Sequence, residues 1–151
     1  MNVFLDTNFV LEVVMHREKY VMSKQIVMYF TDHKIPMCMS AASFYTMIFL
    51  VEKHLKQNLG LIGENKIHSL RVMMAQALKT FSIVEHDRTS LMNAVNDLSF
   101  SDLEDSCQYQ LSRKSGCTHL VTFNVSDYAG VENPSVEIIS PEMFVEKYVN
   151  S

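Results

Sequence analysis

Five short apolar runs punctuate this chain: Val3-Phe4-Leu5, Met37-Cys38-Met39, Phe81-Ser82-Ile83-Val84, His119-Leu120-Val121-Thr122 and Val136-Glu137-Ile138-Ile139. Each reads as a strand, and between them the apolar period switches to that of a helix. Met22, Ile26, Tyr29 and Phe30 line one face of a helix over Tyr20 to His33. Ser40 is placed as the N-cap of a long helix to Gln57, with Phe44, Met47, Ile48, Val51 and Leu55 as its stripe. Ile67, Leu70, Met74 and Leu78 mark the next helix. Leu91, Val95 and Leu98 mark a short one, and Leu103, Cys107 and Leu111 another that Gly116 stops. Pro141 opens a C-terminal helix. Strands separated by helices predict an α/β fold with a parallel sheet. In such sheets ligands bind at the carboxyl ends of the strands.

With 151 residues, the chain has the length of one domain, expected to span 1–151. A hydrophobic fraction of 48% and a charged fraction of 20% exclude a disordered chain. The longest apolar stretch, Ala41 to Val51, is too short to span a bilayer, which takes about 20 residues. The opening MNVFLDTNFVLEVVM has no basic segment and carries Asp6 and Glu12, so it is no signal peptide. Cys38, Cys107 and Cys117 form neither a CxxC pair nor a zinc pattern, and their odd number argues against a disulfide framework. A cytoplasmic protein with no membrane partner is expected. A net charge of −4 speaks against a broad nucleic-acid-binding surface, but not against a local basic rim.

Three polar clusters follow strands or open helices. Asp6, with Thr7 and Asn8, ends the first apolar run. Asp102, Glu104 and Asp105 surround a helix start. Asn124 and Asp127 follow the strand that ends at Thr122. Each also has a plain reading: a helix cap at Asp6-Thr7-Asn8, a capping box at Ser101-x-x-Glu104, and a turn at Asn124 to Asp127. All three can meet at one end of one sheet. Two carboxylates 4 Å apart repel by about 4 kcal/mol at an effective dielectric of 20, so such a cluster holds a proton or a cation. Hard oxygen donors without Cys or His favour Mg²⁺ or Mn²⁺, and hence phosphodiester chemistry.

The opening VFLDTNFVLEVV resembles the first motif of PIN-domain nucleases. The segment SDLEDSCQYQLSRKSGCTHLVTFNVSDYAG resembles their later motifs, Asp-x-Glu-Asp and then Thr-x-Asn-x-x-Asp-aromatic. The likeness runs over essentially the whole chain and is nearest to small bacterial members similar to VapC-type toxins. It implies an α/β/α sandwich with a mostly parallel five-stranded sheet of order 3-2-1-4-5. It also implies a metal-dependent endoribonuclease restrained by an antitoxin protein. On that likeness Asp6, Asp105 and Asp127 match the metal-holding acids. Asn8 and Thr122 match polar residues that orient them, Asn124 lies beside the last acid, and Asp102 and Glu104 share the middle motif. One departure stands out. Many relatives carry a Glu about six residues past a Ser like Ser40, where this chain has Thr46. Glu52 lies a further six residues on, about 240° around the helix. The alternative is a catalytically degenerate module that binds RNA or protein.

Other features carry less. His16, His33, His54, His68, His86 and His119 make no zinc ligand set. Lys53, His54, Lys56, Lys66, His68 and Arg71 form a loose basic set that reads either as a solvated helix pair or as a rim for RNA or a partner. Exposed Met and aromatic side chains on these helices also suit a homodimer or antitoxin groove. An aspartyl-phosphate enzyme built on Asp6 would want a second Asp two residues on, where Asn8 stands.

Overall fold

A computed structural model describes residues 1–132 and 134–151. Five strands, β1 (Val3–Leu5), β2 (Met37–Ser40), β3 (Ser82–Val84), β4 (His119–Val121) and β5 (Glu137–Ile139), form one sheet in the order β3-β2-β1-β4-β5. Every neighbouring pair is parallel. Phe4 sits centrally, opposite Cys38 on one side and Leu120 on the other. The parallel five-stranded sheet and its order agree with the sequence expectation.

The three central strands, β2, β1 and β4, are buried on both faces, as parallel sheets require, while the edge strands β3 and β5 are partly open. In β1, Val3 and Leu5 enter one core while Phe4 enters the other. The first core is filled from α1 (Thr7–Val14), α2 (Tyr20–Asp32), α3 (Ala41–Gln57), α4 (Gly63–Thr80) and α7 (Pro141–Phe144). Phe30 and Phe144 meet edge-on there, with centroids 5.0 Å apart. On the opposite face lie α6 (Leu103–Lys114) and, against it, α5 (Arg88–Asn96). Cys38 and Cys117 are free thiols in this second core, 3.5 Å apart. The hydrogen bond with Cys117, and then burial, push the Cys38 thiol up.

Several local readings change: Ile67 and Leu78 of α4 and Leu103 of α6, expected on apolar stripes, are exposed. The apolar residues of α5 are not its buried face: Ser90 and Ala94 are inside, Leu91 and Val95 are exposed, and Leu98 lies beyond the helix in solvent. The helix is set instead by a capping box between Asp87 and Ser90 and by close approach to α6, where Ser106 Oγ donates to the Ala94 carbonyl at 2.8 Å. At the start of α6 the cap is Asp102 rather than Ser101. Its Oδ1 accepts from the Glu104 and Asp105 backbone N–H groups at 2.7 and 3.3 Å. That leaves the Glu104 side chain free of any capping duty. Elsewhere Ser40 and Pro141 fall at the predicted N-cap and first helical positions.

Candidate functional site

Asp6 emerges at the carboxyl end of β1, where the chain turns into α1. Its Oδ1 caps that helix by accepting from the Thr7 N–H at 2.7 Å. Its Oδ2 accepts from the Thr122 hydroxyl at 2.7 Å and from Asn8 Nδ2 at 3.1 Å. Asn8 also donates to Thr122 Oγ1 at 3.1 Å and accepts from the Phe123 N–H at 3.2 Å. Thr122 follows β4 directly and accepts from the Asn124 N–H at 3.0 Å. Adjacent strand ends are thus stitched around one carboxylate. The helix cap at Asp6 and the site at Asp6 are one structure.

Asp6 is 4% exposed, yet every donor it meets is neutral. Burial raises its pKa, the bonds from Thr122 and Thr7 pull it back, and the charges of Glu104 and Asp127 raise it again. Asp105 has its carboxyl pushed up to about 6 by burial first and then by Asp6, Asp102, Asp127 and Glu104. The buried phenol of Tyr128 is driven up by desolvation and then by Asp6, Asp105, Asp127 and Glu104. Five carboxylates therefore share one electrostatic neighbourhood. Asp127 stands exposed in the short 3₁₀ turn Val125–Tyr128. Asn124 joins only through its backbone, its carbonyl accepting from the Asp127 N–H at 3.0 Å.

Those donors suit a hard cation. They are all oxygen, and no Lys or Arg figures among the charges that shift Asp6 or Asp105. Asp6 accepts three hydrogen bonds of about four it can take, so one lone pair of Oδ1 is open. Among the described residues, however, no three acidic, His or Cys side chains close into a cage.

A PIN-domain family model matches residues 2–126. The chain belongs to the PIN-domain family. Ribonuclease VapC1 of Aquifex aeolicus is 25% identical over 150 residues, covering 97% of this chain and 94% of that protein. Two solved structures share the fold. VapBC2 from Rickettsia felis, bound to a DNA fragment from their promoter, has a TM-score of 0.64 at 12% identity, covering 93% of this chain and 98% of its own. PAE2754 from Pyrobaculum aerophilum has 0.62 at 14%, covering 100% and 98%.

Of the predicted PIN residues, Asp6, Asn8 and Thr122 meet through side-chain hydrogen bonds; Asp102 reaches Glu104 and Asp105 only through their backbone N–H groups, and the carboxylates of Asp102, Glu104, Asp105 and Asp127 act on one another and on Asp6 through their fields. Thr46 lies half-buried on α3, and Glu52 pairs with Lys66 at 2.8 Å. The basic set falls around the α3–α4 turn; Lys56 is sixteen residues beyond Ser40, roughly 24 Å along the helix. His119 is buried at the amino end of β4, with Nε2 3.0 Å from the Tyr148 hydroxyl, away from the acids. Missed in the sequence is a buried polar link beneath the site, made by Thr7, Ser40, Ser43 and Gln108. Its one sequence signal is a Gln three residues past Asp105.

Proposed function

We propose that this PIN domain is a Mg²⁺- or Mn²⁺-dependent endoribonuclease, the toxin of a bacterial toxin–antitoxin pair acting in the cytoplasm, with residues 1–151 as one unit. The observation that carries this reading is the acidic cluster at the ends of β1 and β4, where buried Asp6 and the half-buried Asp105 share a field and neither Lys nor Arg is among the charges that shift them. The ribonuclease name of the Aquifex aeolicus relative supports it.

Asp6, Asp105 and Asp127 would hold the metal. When bound, such an ion balances charge on phosphoryl oxygens and lowers the pKa of water beside it. The chain supplies the rest. Thr122 and Asn8 fix Asp6 Oδ2, and Thr7 fixes Oδ1, so the carboxylate needs no reorganisation as a phosphodiester arrives. The neighbouring carboxylates orient the attacking water and take up its proton. An antitoxin is the expected partner. An open apolar groove of about 670 Å³, lined by Val14, Val27, Met28, Leu55, Met73 and Phe81, suits an apolar segment of that partner.

The deciding experiment is RNA cleavage by highly purified protein with Mg²⁺ or Mn²⁺, comparing wild type with Asp6→Asn. Cleavage that needs metal and disappears in the folded variant is expected. Equal activity in the variant would sink the assignment. A second reading, a degenerate module that binds RNA or protein without turnover, is favoured by Thr46 in place of the family Glu and by the open arrangement of the acids. Metal-dependent turnover lost in Asp6→Asn would rule it out.

A further inference from the structure

Gln108 lies on α6 three residues beyond Asp105, so the two side chains leave neighbouring points of one helix face. It is 2% exposed. Its Nε2 donates to Thr7 Oγ1 at 2.9 Å and to Ser43 Oγ at 3.1 Å. Those two oxygens are 2.6 Å apart, and Ser43 Oγ is 2.8 Å from Ser40 Oγ. Thr7 is the first residue of α1, and its backbone N–H holds Asp6 Oδ1. Ser43 is in the first turn of α3, beyond the end of β2. One amide thus ties the ends of two strands to the helix that carries Asp105.

Packing does not account for that amide. Among the described residues, Gln108 Oε1 is buried without a partner. Turning the amide over would give Oε1 the hydroxyls and leave Nε2 unpaired instead. Either way a buried polar group goes unsatisfied, a cost that an apolar side chain of similar size would not carry. The bonds that offset it run to Thr7, the chain neighbour of Asp6, and to Ser43 in the first turn of α3.

We infer that Gln108 is a positioning residue that sets the separation of the Asp6 and Asp105 carboxylates through Thr7 and Ser43. Its consequence for turnover rests on the ribonuclease reading above; its consequence for geometry does not.

The test is Gln108→Met, which fills a similar volume and makes neither bond. Crystal structures of wild type and variant should differ in the Asp6–Asp105 carboxylate separation by more than about 0.5 Å, the tolerance within which a preorganised site works. RNA cleavage should lose roughly 100-fold in kcat, with KM within about twofold of wild type. An unchanged separation, even in a less stable protein, would reduce Gln108 to a fold-stabilising role and overturn the inference. Should Gln108→Met not fold, Ser43→Ala removes one acceptor while suiting a helical first turn, and is read in the same way. If the wild type cleaves no RNA, the ribonuclease reading fails, and the carboxylate separation still decides the role of Gln108.

Discussion

Thr122 donates its hydroxyl to Asp6 Oδ2 at 2.7 Å, across 116 residues of sequence and between the ends of two adjacent strands. Thr122 is fully buried and Asp6 nearly so. Thr122→Val keeps the shape and deletes the donor. It also strips an acceptor from Asn8 and from the Asn124 N–H. The expected loss is about 1–3 kcal/mol at neutral pH, read as a shift in urea midpoint. Because the lost bond favours the charged carboxylate, the loss should shrink as Asp6 is protonated. A loss independent of pH would mean that Thr122 acts by packing alone.

Asp105 gives the metal-free protein an unusual pH dependence. Its folded pKa of about 6 lies above the ordinary 3.8. Between those values the native chain holds a proton that the unfolded chain has released, so stability from this group falls as pH rises through the window. Asp6, shifted the same way, adds to the effect. His86 and His119, held low chiefly by burial, act in the opposite sense as pH falls below 6.5. Asp87, pushed down to about 2 mainly by its bond from the Ser90 N–H, loses its contribution as pH falls from about 4. The contribution of Asp105 is therefore read as a difference. Asp105→Asn should be more stable than wild type at pH 7.5, with the gap closing toward pH 4. A gap constant across urea midpoints from pH 4 to 8 would refute the shift.

The strands and most helices were legible because their apolar residues follow period and caps. Ser40 and Pro141 illustrate this: each fell at the helix start its side chain prefers. Sheet order was not in the periodicity at all and came through family likeness. What escaped is polar and buried. Ser106, Gln108, Gln110 and Ser112 are polar residues of α6, yet all four are inside. Each buries a polar atom against a partner distant in sequence or in the preceding turn: the Ala94 carbonyl, Thr7 and Ser43, Asp97, and the Tyr109 carbonyl. Hydropathy patterns place such residues outside because they weigh transfer cost and not the hydrogen bond that offsets it. The same limit explains the α5 misreading, where small Ser90 and Ala94 let two helices close together while larger residues stay outside.

Gly130 presses against the loop that leads into the acidic helix. A Cβ there would overlap the Ser99 carbonyl oxygen, and the obstacle is backbone rather than a side chain that can swing away. Gly130→Ala should cost about 1–3 kcal/mol, the usual range for forced overpacking. It should also disturb Asp127, three residues before, and Asp102, three residues after Ser99. The measurement is the urea midpoint together with Mn²⁺ titration. A stability within about 0.5 kcal/mol of wild type would show that the two loops separate freely.

Thr46 stands where the family resemblance leads one to expect a Glu, and placing that Glu there separates the two functional readings. A metal that binds only the native state stabilises it by RT ln(1 + [L]/Kd). Thr46→Glu adds a carboxylate on a half-buried face of α3. Without metal it should lower the thermal midpoint, because a charge at this half-buried position is partly desolvated. With Mn²⁺ the rise in midpoint should exceed that of wild type, and the excess should vanish in Thr46→Glu combined with Asp6→Asn. If wild type already shows a full rise and Thr46→Glu adds nothing, the present acids suffice and the enzyme reading gains. If neither protein responds up to about ten millimolar Mn²⁺, unaided metal binding is too weak to detect, as expected where substrate phosphates complete the coordination. Adding a non-cleavable RNA then decides: a metal-dependent rise only in its presence supports the nuclease, and a rise with RNA alone supports the binding module.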